Sequence, residues 1–356
     1  MSHSTYLNLI SGQAPAVLAI PGQAALSVLS LPYSAVVRLR NHLYADGHLK
    51  IHKATVPTLS IGNLTTGGTG KTPLVVWVCR TLADRPLRCA ILTRGYKTQR
   101  GELSDEPALL AGDCPEAAVV VNPDRVAGAA EATDHRGAQV LIMDDGFQHR
   151  RLARDLDIVT VDATRPFGYG RLLPAGLLRE PITGLRRAQA VVITRCDQVS
   201  QDAVERIEEK ILGVNPTLVI ARSVHAATGL QTADGAESPP NRVRGERVFA
   251  FSGLGNPAAF YRTLGQLGAV LVESLSFDDH HDYTLDDLDD IRERARRQRA
   301  DLILTTQKDW MRLARLPARK KAPPLAYLAI ELQFTRGQKE LTALIDSVLA
   351  GTMSRL

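Results

Sequence analysis

Aromatic side chains are scarce in this chain: Phe, Tyr and Trp together make 5% of its 356 residues. With so few flat faces, and no pattern that interleaves them with basic residues, base stacking has no support and nucleic acid is not an expected partner. Cysteine is equally sparse. Cys79, Cys89, Cys114 and Cys196 show neither C-x-x-C nor Cys/His ligand spacing, which argues against a disulfide framework or a zinc site and suits a reducing compartment. No basic segment precedes the apolar N-terminal stretch, so it is not a clean secretory signal. Nor is that stretch uninterrupted: Ala14 to Val37 is mostly apolar but is broken by Pro21, Gly22 and Pro32. A membrane-spanning helix needs about 20 apolar residues and tolerates such breaks poorly unless neighbours satisfy them. A helix lying in the membrane interface, with Arg38, Arg40, His42, Lys50, His52 and Lys53 against anionic headgroups, accounts for the same residues. An amphipathic helix packed on the protein accounts for them equally well.

What the chain has is a globular composition, 44% hydrophobic with a formal net charge of +5, which fits an anionic partner without choosing among nucleotide, phosphorylated substrate, nucleic acid and acidic lipid. Its length predicts two domains. Short apolar runs at 57–64, 89–93, 118–121, 140–143, 158–161, 190–194 and 218–221 alternate with helical patterns such as 72–83, 125–133 and 203–212. Continuous apolar strands between helices predict an α/β, doubly wound, mostly parallel sheet. Periodicity fails over 226–243, and a second alternation then runs through strands at 248–252, 270–275, 302–305 and 325–330 to a final helix reaching Leu349. The expected organisation is an N-terminal helical segment (1–40), a nucleotide-binding domain (41–225), a linker or hairpin (226–243) and a smaller α/β domain (244–356). The run Arg292 to Arg299 reads as the solvated face of a helix.

The chemistry begins at Thr65-Thr66-Gly67-Gly68-Thr69-Gly70-Lys71-Thr72, between an apolar strand and a helical pattern. Glycines let backbone N–H groups turn toward phosphates, Lys71 supplies positive charge, and the Thr72 hydroxyl suits Mg²⁺. The expected fold is therefore P-loop NTPase-like, with ATP and Mg²⁺. Thr65 stands where the usual motif has its first Gly. The Gly-Gly-x-Gly-Lys-Thr ending resembles the deviant P-loops of MinD/ParA-like ATPases, yet Thr66 occupies the place of their signature Lys. Downstream, the apolar strand Val140 to Met143 ends in Asp144-Asp145, the placement a P-loop enzyme needs to hold Mg²⁺ or its waters. Asp105 falls at a helix start, where capping alone could explain it. His280 and His281, flanked by Asp278, Asp279 and Asp282, suit an oriented imzidazole that relays a proton. Pro174 to Pro181 is a proline-bounded loop carrying Arg179 and Glu180, suited to phosphate or Mg²⁺ contacts or to a plain ion pair.

Taken together these blocks resemble one family. Gly62-Asn63-Leu64 through Lys71-Thr72-Pro73, Thr93-Arg94-Gly95-Tyr96, Asp105-Glu106-Pro107, Asp144 to His149, Leu173 to Gly176 with Arg179-Glu180, and Lys308-Asp309 look like the tetraacyldisaccharide 4'-kinases, the lipid A kinases of Gram-negative bacteria. The likeness covers most of the chain in order. Ser104 replaces a Gly often found before Asp-Glu-Pro, which leaves Asp105 in place. The resemblance implies ATP-dependent phosphorylation of the 4'-hydroxyl of a lipid A disaccharide 1-phosphate at the cytoplasmic face of the inner membrane. It favours a membrane-associating N-terminus and suggests no obligate protein partner. It further implies that Lys71 binds the β- and γ-phosphates and that Thr72 with Asp144 or Asp145 serves Mg²⁺. Arg179 and Glu180 would line the site near phosphate and metal, and Asp105 would be the base, assisted by His280 or its neighbour His281. The competing reading from another class is a MinD/ParA-like ATPase that switches membrane binding with nucleotide state.

Overall fold

The computed structural model describes residues 3–12, 15–95, 105–232, 235–279, 281–316 and 322–353. Two N-terminal helices, α1 (His3–Ser11) and α2 (Ala16–Ala45), precede an alternation of β1 (Thr58–Asn63), α3 (Lys71–Ala83), β2 (Cys89–Thr93), α4 (Asp105–Asp113), β3 (Ala118–Val121), α5 (Arg125–Asp134), β4 (Val140–Asp144), β5 (Leu156–Asp162), β6 (Ala190–Thr194), α6 (Gln201–Val214) and β7 (Val219–Thr232). There follow β8 (Glu237–Ser238), β9 (Arg247–Ser252), α7 (Pro257–Gln266), β10 (Val270–Ser276), α8 (Leu285–Arg297), β11 (Leu302–Thr306), α9 (Gln307–Leu313), β12 (Leu325–Arg336) and α10 (Gln338–Met353). The chain forms two compact units, one of residues 1–224 with 334–356 and the other of 225–333, and it crosses between them within β7 and β12.

In the first unit the strands are ordered β7-β6-β5-β1-β4-β2-β3, every pair parallel. The reason is visible in the residues: β1, β2, β4, β5 and β6 are buried along their whole lengths, as strands covered on both faces must be. From β1 the chain leaves to one side, toward β2, while from β5 it leaves to the other, toward β6. The crevice at the carboxyl ends of β1 and β5 is thus the topological switch point, the usual ligand position in such sheets. Gly62 allows the close approach of Phe147, because a Cβ there would stand 2.5 Å from the Phe147 Cβ. Phe147 is fully buried, which contributes roughly 2–3 kcal/mol for a side chain of that size.

The second unit orders its strands β10-β9-β11-β12, again parallel, with β8 antiparallel to the end of β7. Helix α8 is started by a Thr284–Asp287 capping box.

Two expectations about organisation differ from this architecture, and a third is narrowed by it. In the stretch 226–243, expected as a linker or hairpin, β7 runs on to Thr232 and pairs antiparallel with β8 after Gly235 (φ 77°). The final helix, placed with the second domain by its position in the chain, belongs to the first unit. There Trp77 of α3 meets Phe334 of β12 edge-on at 4.7 Å, and Arg85, just past the end of α3, ion-pairs Asp346 of α10. Finally, the N-terminal helix does not stop near residue 40 or break at its prolines; α2 is continuous from Ala16 to Ala45 with Pro21 and Pro32 inside it.

Candidate active site

The glycine-rich segment leaves β1 at the switch point and enters α3 at Lys71. Gly67 (φ 101°) and Gly70 (φ 88°) adopt left-handed conformations closed to most side chains, and no atom lies within 4 Å of a Cβ built on Gly68, so the turn stays open. Thr65 and Thr66 need no such freedom. They are pinned as a short antiparallel bridge: Thr65 opposes Leu178, the Thr66 N–H donates to Leu177 O (2.8 Å), and the Arg179 N–H donates to Leu64 O (2.7 Å). This explains why Thr can stand at the first Gly of the usual motif. The floor of the turn is built from hydroxyls. Thr160 of β5 lies 2.7 Å from the Thr69 hydroxyl and donates to Gly62 O (3.2 Å), while Thr194 of β6 donates to Thr69 O (2.9 Å). The positive end of α3 then faces whatever the loop encloses, as at other anion sites.

Opposite stands the end of β4. Asp144 is buried, and Asp145 takes a left-handed conformation (φ 52°) that Asp accepts more readily than most residues. That turn brings the Asp145 carboxylate to two cations, 3.4 Å from Lys71 Nζ and 2.8 and 3.0 Å from Arg179 Nη1. Burial pushes Asp145 up, but the Lys71 ammonium and the Arg179 guanidinium outweigh it and hold the carboxyl at about 2. Arg125, buried at the first turn of α5, donates to Asp144 O (3.2 Å) and Asn122 O (2.8 Å). Burial lowers its pKa to about 10 against the pull of Asp144 and Asp145, so it stays a cation at neutral pH. His149 is pushed below its ordinary pKa by burial and by Arg125, and is neutral there.

The structure brings Lys71, Asp145 and Arg179 together, with Thr72 in the same first turn of α3. Glu180, expected beside the metal, has a closed setting. It is fully buried, and its carboxylate accepts from Arg187 (2.9 and 3.1 Å), Gln148 (2.8 Å) and Asn41 (3.3 Å). Coordination of a metal there requires one of these partners to be given up. Asp105 opens α4, directly after residues 96–104, and its side chain lies outside the described residues, as does His280. Its neighbour His281 stacks on Phe277 (centroids 4.6 Å) and sits 3.1 Å from an Asp287 carboxylate oxygen, a bond within its own segment. Sequence reading missed Thr160, Thr194, Arg125 and Arg187. The signal was present for the threonines, each the lone hydroxyl of its strand.

A glycine turn on the N-terminus of a helix, a paired lysine and arginine, and acidic residues closing the neighbouring strand define a P-loop phosphotransferase, on the doubly wound sheet expected. Comparison with known proteins makes the class particular. The family model LpxK, tetraacyldisaccharide-1-P 4'-kinase, matches residues 22–350. The chain is 41% identical over 353 residues to the tetraacyldisaccharide 4'-kinase of Anaeromyxobacter sp. (strain Fw109-5), covering 93% of this chain and 94% of that one. It is 35% identical over 318 residues to that of Halothermothrix orenii, covering 82% and 83%. Among solved structures it is similar to LpxK from Aquifex aeolicus in complex with ATP, with a TM-score of 0.67 and 32% identity over 92% of this chain and 99% of that one. The chain belongs to the tetraacyldisaccharide 4'-kinase family. It is accordingly an ATP-using lipid kinase, and the MinD/ParA-like alternative is set aside.

Proposed function

We propose that this protein transfers the γ-phosphoryl group of ATP to the 4'-hydroxyl of a tetraacyldisaccharide 1-phosphate, a lipid A precursor, at the cytoplasmic face of the inner membrane. The observation that carries the reading is the convergence of Lys71 and Arg179 on Asp145 at the mouth of the glycine turn. Phosphoryl transfer passes through a loose transition state with charge spread over the equatorial oxygens, so positioning and fixed positive charge do most of the catalytic work. Turn amides and the α3 N-terminus receive the phosphate oxygens, and Lys71 and Arg179 neutralise the charge that develops. Thr72, Asp144 and Asp145 offer the hard oxygen donors Mg²⁺ requires, and Asp145 is ionised at every physiological pH. Bound there, Mg²⁺ would supply charge neutralisation across the phosphates. Asp105 accepts the proton of the 4'-hydroxyl, and His280 assists it; both assignments rest on family resemblance.

The membrane assignment is supported by α2. Ile20 to Ala45 is long and apolar enough to span a bilayer, with only 6% of its most apolar window buried in the protein, and Val28, Leu29, Leu31, Val36 and Leu39 are all exposed. An exposed apolar flank followed by Lys50 and Lys53 matches a helix in contact with an anionic leaflet.

The test is transfer of labelled γ-phosphate from ATP to tetraacyldisaccharide 1-phosphate in mixed micelles, with the new phosphate located on the 4'-oxygen. Asp105→Ala is expected to lower kcat by 100-fold or more, the order contributed by a general base, with ATP binding retained. Absence of transfer by the wild type overturns the function, and near-normal turnover by the variant removes the base assignment.

A further inference from the structure

The segment carrying Arg179 and Glu180 is held on two sides. On one, Leu177 O and the Arg179 N–H bond the P-loop strand. On the other, the N-terminal helices donate to it: Tyr6 Oη of α1 to Pro174 O (3.0 Å) and Gly176 O (3.1 Å), Tyr33 Oη of α2 to Arg179 O (2.9 Å), and Asn41 Nδ2 of α2 to the Glu180 carboxylate (3.3 Å). The Arg179 backbone is thus clamped through its N–H to the phosphate turn and through its C=O to α2. The two helices are themselves tied, Gln23 Nε2 to Leu9 O (2.8 Å), and Arg150 fastens the far end of α2 through Asn41 O (2.7 Å). Close approach makes the segment unforgiving: a Cβ on Gly176 would fall 2.4 Å from Arg171 O.

We infer that Tyr33 and Asn41, with Tyr6, are positioning residues for Arg179 and Glu180, which makes the N-terminal helices a working part of the phosphate site as well as a membrane contact. The inference rests on the proposed kinase reaction. Three of the four bonds end on backbone carbonyls, so they set the path of the main chain. A guanidinium meant for a transition-state oxygen loses effect steeply with displacement, by up to about 100-fold for 1 Å. Hydroxyl removal from Tyr33 leaves the ring, the helix and its apolar flank intact, which separates positioning from anchoring.

The experiment uses full-length protein bearing Tyr33→Phe, Tyr6→Phe or Asn41→Leu. Turnover is measured in mixed micelles per ATP-binding site counted by titration, so unfolded molecules do not enter. Partition onto anionic vesicles is measured in parallel. Tyr33→Phe is expected to lower kcat about 5-fold or more, the rate equivalent of one neutral hydrogen bond, with KM for ATP within about 2-fold and unchanged partition. Pairing it with Tyr6→Phe deepens the loss. Unchanged kcat in Tyr33→Phe and Asn41→Leu overturns the inference, and so does a kcat loss that only tracks loss of partition. A wild-type enzyme that transfers no phosphate removes the kinase reading itself, a separate outcome.

Discussion

Replacing Thr160 by Val tests whether the hydroxyl floor holds the phosphate turn. Thr160 is 1% exposed and its hydroxyl bridges the Thr69 hydroxyl at 2.7 Å and Gly62 O at 3.2 Å. Valine keeps the branched shape but strands the Thr69 hydroxyl, itself buried. A buried polar group left without a partner costs about 1–3 kcal/mol, and the Gly62 carbonyl, which has a second lone pair, adds less. The expected loss is about 2 kcal/mol. For a unit of some 150–250 residues this lowers Tm by about 4–8 °C. About 1 kcal/mol of it should appear in ATP binding, because Thr69 lies within the turn, and that raises KM for ATP roughly 5-fold. Calorimetry with and without MgATP reads both effects, since ligand stabilisation follows the dissociation constant. Thr160→Ser is the control: it retains the hydroxyl and is expected to keep the ATP affinity of the wild type. Equal behaviour of the Val and Ser variants would refute the reasoning, because the methyl group and not the hydroxyl would then be what matters.

Two further predictions concern charge. Asp145→Asn preserves a residue tolerant of φ 52° and removes the carboxylate. Because the folded carboxyl is held at about 2, its contribution to stability is complete above the unfolded value of about 3.9 and is lost as pH falls toward 2. The Tm difference between wild type and variant, followed from pH 6 to pH 2, should therefore shrink steadily and keep only a small part of its value at pH 2. A difference that grows on acidification contradicts the assignment. On α2, the paired change Val28→Asp with Leu31→Asp places charge on two exposed apolar positions. Vesicle flotation should fall at least 10-fold while phosphorylation of ATP-accessible, micelle-dispersed substrate persists; unaltered flotation refutes membrane contact through this flank.

Much of the fold was legible because its signals are short-range. Runs such as Val140 to Met143, short, apolar and bounded by turn signals, read as strands buried on both faces, and the glycines at 67 and 70 stand where the backbone turns left-handed. The stretch 226–243 was legible only as a linker or hairpin because Thr, Ala and Gly side chains there carry little periodicity, and the antiparallel pairing with β8 supplies what propensity does not. The place of α10 was illegible for a different reason. Its place in the first unit rests on contacts such as that of Asp346 with Arg85, 261 positions apart in sequence.

The site divides along the same line. Sequence alone picked out the candidate donor half: a glycine-rich turn, its lysine and its Thr72, and the acidic pair that follows an apolar strand, because each is a local pattern of residue types suited to that chemistry. Only the tertiary structure decided that Arg179 joins Lys71 on Asp145, that Glu180 is enclosed by Arg187, Gln148 and Asn41, and that Thr160 and Thr194 carry the floor. These are contacts between distant segments, and their energies depend on burial and distance, which no single stretch of chain contains.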